Sequence, residues 1–431
     1  MSTMIATRDA YGETLAELGA ENTNIVALDA DLSGSTKTSV FAKKFPERFL
    51  NMGIAEANMV GTAAGLAAVG KIPFLSTFAV FASGRAWEQI RQSVAYPKAN
   101  VKIVATHGGV TVGEDGGSHQ SVEDIAIMRA IPNMTVIVPA DGVETRGAIR
   151  AAAALKGPVY VRLGRNKVPT VFPDDHCFEI GKGSEMVAGS DMTFVTTGLM
   201  TAVAMAAAER LKKEGISARV VHLATIKPLD QEIIIRAARE TGAIVTAEEH
   251  SIVGGLGGAV SELLGENCPT PIKRVGINDR FGTSGKAEEL LKYFGLTAEN
   301  LVDAQRKFSR GNDASQSVQV FCRIHLYCRF DGGGNHGDIA GGGWAILENG
   351  RCPGTGGRIA VPWQPDQGCH DSLVCAQAWP ASSHPINRPQ GPPQRSPFDG
   401  KGTLPAQALQ GPYDRQGLGD NKRSYGHNRC R

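Results

Sequence analysis

The chain has 431 residues, and its 45 basic and 43 acidic side chains leave a formal charge of +2. That length exceeds one ordinary core and predicts two or three domains. The near-neutral charge without a basic stripe argues against a nucleic-acid surface, no apolar run reaches the roughly 18 residues of a membrane span, and MSTMIATRDAYGETL lacks a secretory pattern, so a soluble cytoplasmic protein is expected.

In chain order, a helical pattern runs from Thr7 to Leu18 through Tyr11 and Leu15. NIVALDADL (24–32) reads as a buried strand, and the polar turn Ser33–Thr38 follows. The stretch NMGIAEANMVGTAAGLAAVG (51–70) then places one carboxylate, Glu56, ahead of a helix of Ala, Gly and Val. Side chains that small let another surface approach closely. By itself Glu56 could be no more than a first-turn residue favoured by the helix dipole. Further strands are predicted at Ile72–Phe81, Val101–Thr106, Thr135–Pro139 and Val159–Leu163, with helices at Arg85–Ser93, Val122–Ala130 and Val143–Ala154 between them. Such alternation predicts a mostly parallel sheet covered on both faces.

A hinge-like segment, Lys167–Gly183, carries Pro169 and Pro173. A smaller α/β unit follows, with strands at Met192–Thr197, Ala218–Leu223, Ala243–Thr246 and Lys273–Val275. Its helices are predicted at Thr201–Glu214, Gln231–Thr241, Gly254–Leu264 and Ala287–Phe294. The fold class is therefore α/β, with two consecutive three-layer domains over residues 1–172 and 187–308. Residues 309–431 differ in kind. They hold six of the eight cysteines and three of the four tryptophans, together with GGG clusters and PQGPPQRSP, and show no sustained periodicity. This composition predicts no packed core: the tail reads as unstructured, either a disordered extension or a frameshifted translation, and its wealth of Cys and Trp favours the latter. No paired C-x-x-C spacing suggests a zinc module there.

The strongest chemical signal is ATHGGVTVGEDGGSHQ (105–120). It follows a predicted strand and so sits where α/β proteins place their ligand sites. It carries two histidines, an Asp–Glu pair and five glycines, which predict a loop whose backbone approaches a ligand closely.

Together with GIAEANM and LSTFAVF, this loop resembles the thiamine-diphosphate-dependent transketolases, from about Arg8 to Phe308, over their pyrimidine-binding and C-terminal domains. The resemblance implies that Glu56 hydrogen-bonds N1′ of the cofactor's aminopyrimidine, where a carboxyl group stabilises the imino tautomer needed to activate the thiazolium ring. Phe78 and Phe81 match the aromatic residues that line the pyrimidine pocket, although either could be ordinary core. Gly84 stands where a third aromatic is usual, so the pocket would be more open or filled by Trp87. His107 and His119 match substrate-side histidines and, with Glu56, form the expected catalytic set. Asp115 matches the aspartate that orients the donor hydroxyl. Arg8, Ser35 and Arg165 match positions that bind a sugar phosphate, a task suited to the arginine fork. Asp31 matches a cofactor-side residue at the subunit boundary. Gly108 and Gly109 replace a common Asp–Ser pair, which puts the usual pentose phosphates in doubt.

The G-D-G and N-N elements that hold metal and diphosphate in these enzymes are missing from the chain. No metal ligand is assigned to it, and Mg²⁺ (or Ca²⁺) would be held by an N-terminal transketolase subunit, giving a split enzyme that self-associates as a heterotetramer. The expected reaction moves a two-carbon ketol unit from a ketose to an aldose, both as phosphates. Alternatives are a 1-deoxy-D-xylulose-5-phosphate synthase-like subunit, a 2-oxo-acid dehydrogenase E1 β-like subunit, and a non-catalytic paralogue.

Overall fold

A computed structural model describes residues 3–306, and the expected tail (309–431) lies outside the described residues. The strands are β1 (Met4–Ala6), β2 (Ile25–Asp29), β3 (Phe49–Asn51), β4 (Ile72–Phe78), β5 (Lys102–Thr106), β6 (Thr135–Ile137), β7 (Val159–Arg162), β8 (Lys167–Pro169), β9 (Ser184–Val187), β10 (Met192–Thr196), β11 (Ala218–His222), β12 (Thr225–Lys227), β13 (Ile244–Ser251) and β14 (Ile272–Ile277). One seven-stranded sheet has the order β12-β6-β7-β5-β4-β2-β3 and is parallel except at β12. A five-stranded sheet, β14-β13-β10-β11-β9, is parallel except at β9. Helices enclose both sheets, which is why β2, β5, β7 and β10 are buried at every residue.

The helices carry their own start and stop signals. Asp230 accepts a hydrogen bond from the Ile233 amide ahead of Gln231–Thr241, and Gly242 ends that helix at φ +66°. Asp141 caps Gly142–Ala154 through the Glu144 amide at 2.8 Å. The Glu56 helix runs from Glu56 to Ala68 and buries Glu56, Met59, Val60 and Ala63 against the seven-stranded sheet.

Several boundaries differ from the sequence reading. The strand expected to reach Phe81 stops at Phe78, because a short helix, Ala79–Gly84, begins there. The helix expected over Arg85–Ser93 is one turn, Trp87–Gln89, running into a π turn at Ile90–Ala95. The expected hinge begins with β8, which pairs antiparallel with β1. After β11 the chain also returns to the first domain, where β12 closes the edge of its sheet.

The two domains are also joined by charge. Buried Arg162 on β7 bonds buried Asp124 at 2.9 Å and donates to the carbonyls of Ser121 and, on β13, Glu249. Near the surface, Arg129 forms a forked pair with Glu262. Arg162→Leu should cost roughly 3–5 kcal/mol in denaturant melts, since it strands the Asp124 carboxylate. Glu262→Gln should cost under about 1 kcal/mol.

Candidate active site

The carboxyl ends of the parallel strands bring the predicted residues to one edge of the larger sheet. Asp31 and Ser35 follow β2, Glu56 follows β3, Phe81 follows β4, His107 follows β5 and Arg165 follows β7, while Phe78 is the last residue of β4. Arg8 opens the helix after β1. A polar hinge shapes the first of these turns. Buried Asp29 accepts from the hydroxyls of Thr36 (2.6 Å) and Thr38 (2.9 Å), which folds the Ser33–Thr38 turn back onto β2.

His107 is the best-held member. It takes φ +61°, an uncommon conformation for a side-chain-bearing residue, and its ring stacks on Phe78 with centroids 3.8 Å apart. Arg8 Nη1 lies 3.4 Å from His107 Nε2 and donates to the Ser35 carbonyl at 3.0 Å. A guanidinium only donates, so Nε2 is the acceptor. The ring proton then sits on Nδ1, 2.8 Å from the Thr106 hydroxyl. This is a neutral imidazole. Burial first, then the charges of Arg8, Arg165 and His119, push its pKa down to about 3.

His119 presents its edge to Phe81 at 5.5 Å and to Phe78 at 6.3 Å, and its Nδ1 pairs with Ser118 Oγ at 3.0 Å. Arg165 lies 3.6 Å from Glu114 and 3.7 Å from Asp115, with its Nη1 donating to the Val112 carbonyl. Asp31 stands apart from these groups. It is exposed, sits at φ +64° and trades hydrogen bonds with Asn51, at the start of the segment that leads to Glu56.

Sequence reasoning missed Arg85. Its Nη1 donates to the buried Glu56 carboxylate at 3.0 Å, while its guanidinium carbon lies 4.2 Å from the Phe81 ring centre. Trp87, considered above as the pocket filler, packs instead against the hydrophobic core, and Gly84 is exposed. Arg85 is thus a flat, nitrogen-bearing cation on an aromatic face with a carboxylate at its edge. Phe81 and Glu56 therefore fit a flat nitrogen heterocycle such as an aminopyrimidine.

The glycines of the 105–120 loop also answer to close contacts within the protein. A Cβ on Gly108 would lie 2.6 Å from Arg162, and one on Gly109 would meet the Glu249 carboxyl. At Gly117 it would lie 2.6 Å from the Gly282 carbonyl oxygen, and at Gly116 it would collide with the Ser284 hydroxyl. At Gly109, Gly116 and Gly117 the second domain presses on the loop, and at Gly108 the first domain's own Arg162 does. Gln120 spans the contact, its side-chain Nε2 sharing two N–H groups among the carbonyls of Val110, Gly113 and Thr283 at 3.2, 3.1 and 2.9 Å.

Comparisons with known proteins place both domains in one family. Residues 3–170 match the transketolase pyrimidine-binding domain and residues 181–301 the transketolase C-terminal domain. A transketolase C-terminal section from Methanocaldococcus jannaschii is 58% identical over 68% of this chain and 93% of its own length. A 6-deoxy-6-sulfo-D-fructose transketolase subunit from a Clostridium species is 47% identical over 69% of this chain and 92% of its own. Among solved structures, a split-gene transketolase, described as an inactive β4 tetramer, superposes with a TM-score of 0.66 and 58% identity over 70% of this chain and 98% of that one.

A titration tests the neutral imidazole. His107 stays unprotonated in the folded chain but takes a proton near 6.5 once unfolded. The unfolded chain therefore binds more protons between pH 6.5 and 3. This contribution to stability is complete above 6.5 and is lost as the pH falls through that window. The stability advantage of wild type over His107→Gln in urea melts should thus shrink by roughly 2 kcal/mol between pH 7.5 and 5. A gap independent of pH would contradict the assignment. With both domains matched and near-complete coverage of separately encoded C-terminal sections, the chain belongs to the transketolase family, whose members depend on thiamine diphosphate.

Proposed function

We infer that the chain is the C-terminal subunit of a split transketolase, moving a two-carbon ketol unit from a ketose to an aldose. The observation that carries this reading is the meeting, at one sheet edge, of buried Glu56, the Phe78–Phe81 pair, neutral His107 and the arginines Arg8 and Arg165. When bound, thiamine diphosphate supplies the electron sink for ketol transfer. Glu56, Phe78 and Phe81 would hold its pyrimidine, and Asp31 would stand beside it at the subunit boundary.

The chain's own residues do the rest. Glu56 is placed at the end of an apolar helix, where it can exchange a proton with a ring nitrogen once Arg85 gives way. Neutral His107 would offer Nε2 to a sugar hydroxyl in exchange for Arg8, because burial first, and then the charges of Arg8, Arg165 and His119, suppress its charged form. His119 and Asp115 would orient the hydroxyls near the reacting carbon. Arg8, with Ser35 behind it, and Arg165 would grip the anionic end of the sugar. A phosphate suits that pair, and the relative named for a sulfosugar indicates that another terminal oxyanion is compatible with the family's frame.

The diphosphate, with Mg²⁺ or Ca²⁺, falls to an N-terminal partner subunit, and two copies of each would form a heterotetramer in the cytoplasm. The outer face of the Glu56 helix supports docking of another chain. Adding a Cβ at Gly61 or Gly65 would meet nothing within 4 Å, while Ile54 and Val69 on either side are 76% and 75% exposed. Among the described residues, no helix is long and apolar enough to cross a membrane.

The test is to co-express the chain with a diphosphate-domain subunit and assay ketol transfer from xylulose 5-phosphate to ribose 5-phosphate. Activity is expected only with both chains present, and Glu56→Gln should lower kcat by at least about 10²-fold. Full activity in that variant would defeat the reading.

A further inference from the structure

Behind the 105–120 loop lies a cavity of about 680 Å³ that no step above uses. It sits between the two domains, walled by Val138, Leu163 and Val168 on one side and by Leu199, Val203 and Leu291 on the other. The volume falls within the range of small-molecule pockets, and so does the character of the wall, apolar with a few polar groups. Those polar groups are not balanced. Among the described residues, the exposed side chains of Lys167 and Lys292 on the lining have no ion pair or hydrogen bond, against one exposed carboxylate, Glu288. The second carboxylate, Glu249, is already bonded to the Thr111 amide at 2.7 Å. The exposed part of the lining is therefore cationic by one charge, while the buried part holds Arg162 and Glu249, one of each sign.

Thr7, Gly108 and Gly164 also line the cavity. Each is the chain neighbour of a proposed substrate residue: Arg8, His107 and Arg165 respectively. The three are also bonded into one piece. The Gly164 amide donates to Thr7 Oγ1 at 2.9 Å, and the Gly108 amide donates to the Leu163 carbonyl at 3.0 Å. A molecule seated here would touch the chain one peptide unit away from each of the three substrate residues.

We propose that this interdomain cavity is an effector site for a small amphiphilic anion, with an apolar body between the domains and its charge toward Lys167 and Lys292. Its occupancy shifts the backbone under Arg8, His107 and Arg165. The binding half of this inference stands without the transketolase reading; the meaning of the shift rests on that reading.

The experiment uses the full chain and 8-anilinonaphthalene-1-sulfonate, an aromatic anion whose fluorescence rises when it leaves water. Saturable binding at one site is expected. Ala202→Phe, which extends a ring from the cavity wall, should weaken binding at least tenfold, and the Lys167→Glu, Lys292→Glu double variant at least fivefold. Lys212→Glu, away from the cavity, should leave it unchanged. The two rim lysines are exposed, so their variant keeps the test valid if Ala202→Phe misfolds. In the same titration the His107 imidazole resonance should move along the same saturation curve. Unsaturable binding, or binding indifferent to both cavity variants, would overturn the site. Binding without movement of His107 would overturn the coupling. Neither readout requires ketol transfer, so failure of this site and failure of the proposed activity are separately visible.

Discussion

One buried guanidinium holds the structure in its working form. Arg162 projects from the carboxyl end of an apolar strand, with Asp124 as counter-ion and the Ser121 and Glu249 carbonyls as further acceptors. Tyr160 completes the arrangement by donating to the same aspartate at 2.8 Å. A buried charge is tolerable only when fully paired and hydrogen-bonded, so this cluster tightly restricts what surrounds it. Its bonds reach one strand of each sheet and the end of the histidine loop. The loop that carries His107 and His119 is therefore a product of the domain interface as much as of the strand before it.

That dependence explains the division of labour in the fold. The second domain contributes none of the proposed catalytic side chains. It presses Gly282, Ser284 and Glu249 against glycines of the first domain's loop and closes that domain's sheet with β12. The first domain can then present a neutral histidine, two arginines and a buried carboxylate at one edge. Neutrality of His107 is a consequence of this crowding, since burial and two cations each disfavour a further positive charge.

The parallel strands were legible because strands buried on both faces are written as continuous apolar runs, as in IVALD and KIVAT. The proposed site was legible because its residues cluster just beyond those runs. Other features had no local signature. Four of the five three-residue strands, β1, β3, β8 and β12, show no periodicity of their own and their pairing is decided by distant segments, whereas β6 lies within the apolar run TVIVP. The glycines of the loop suggest ligand approach, and nothing local tells that Gly109 and Gly116 also answer to side chains more than 100 residues away, Glu249 and Ser284. Arg85 was hidden because a lone exposed arginine says nothing until its neighbours are known. Arg162 could have been noticed: a charge inside VYVRL demands a buried partner.

The central claim is that this chain holds one half of a cofactor site, the half that receives the pyrimidine. Calorimetric titration of thiamine diphosphate with Mg²⁺, into the chain alone and into the chain mixed with a diphosphate-domain subunit, addresses it most directly. The account predicts no measurable binding to the chain alone and tight, stoichiometric binding to the mixture. Tight binding to the chain alone, or none to the mixture, would contradict it.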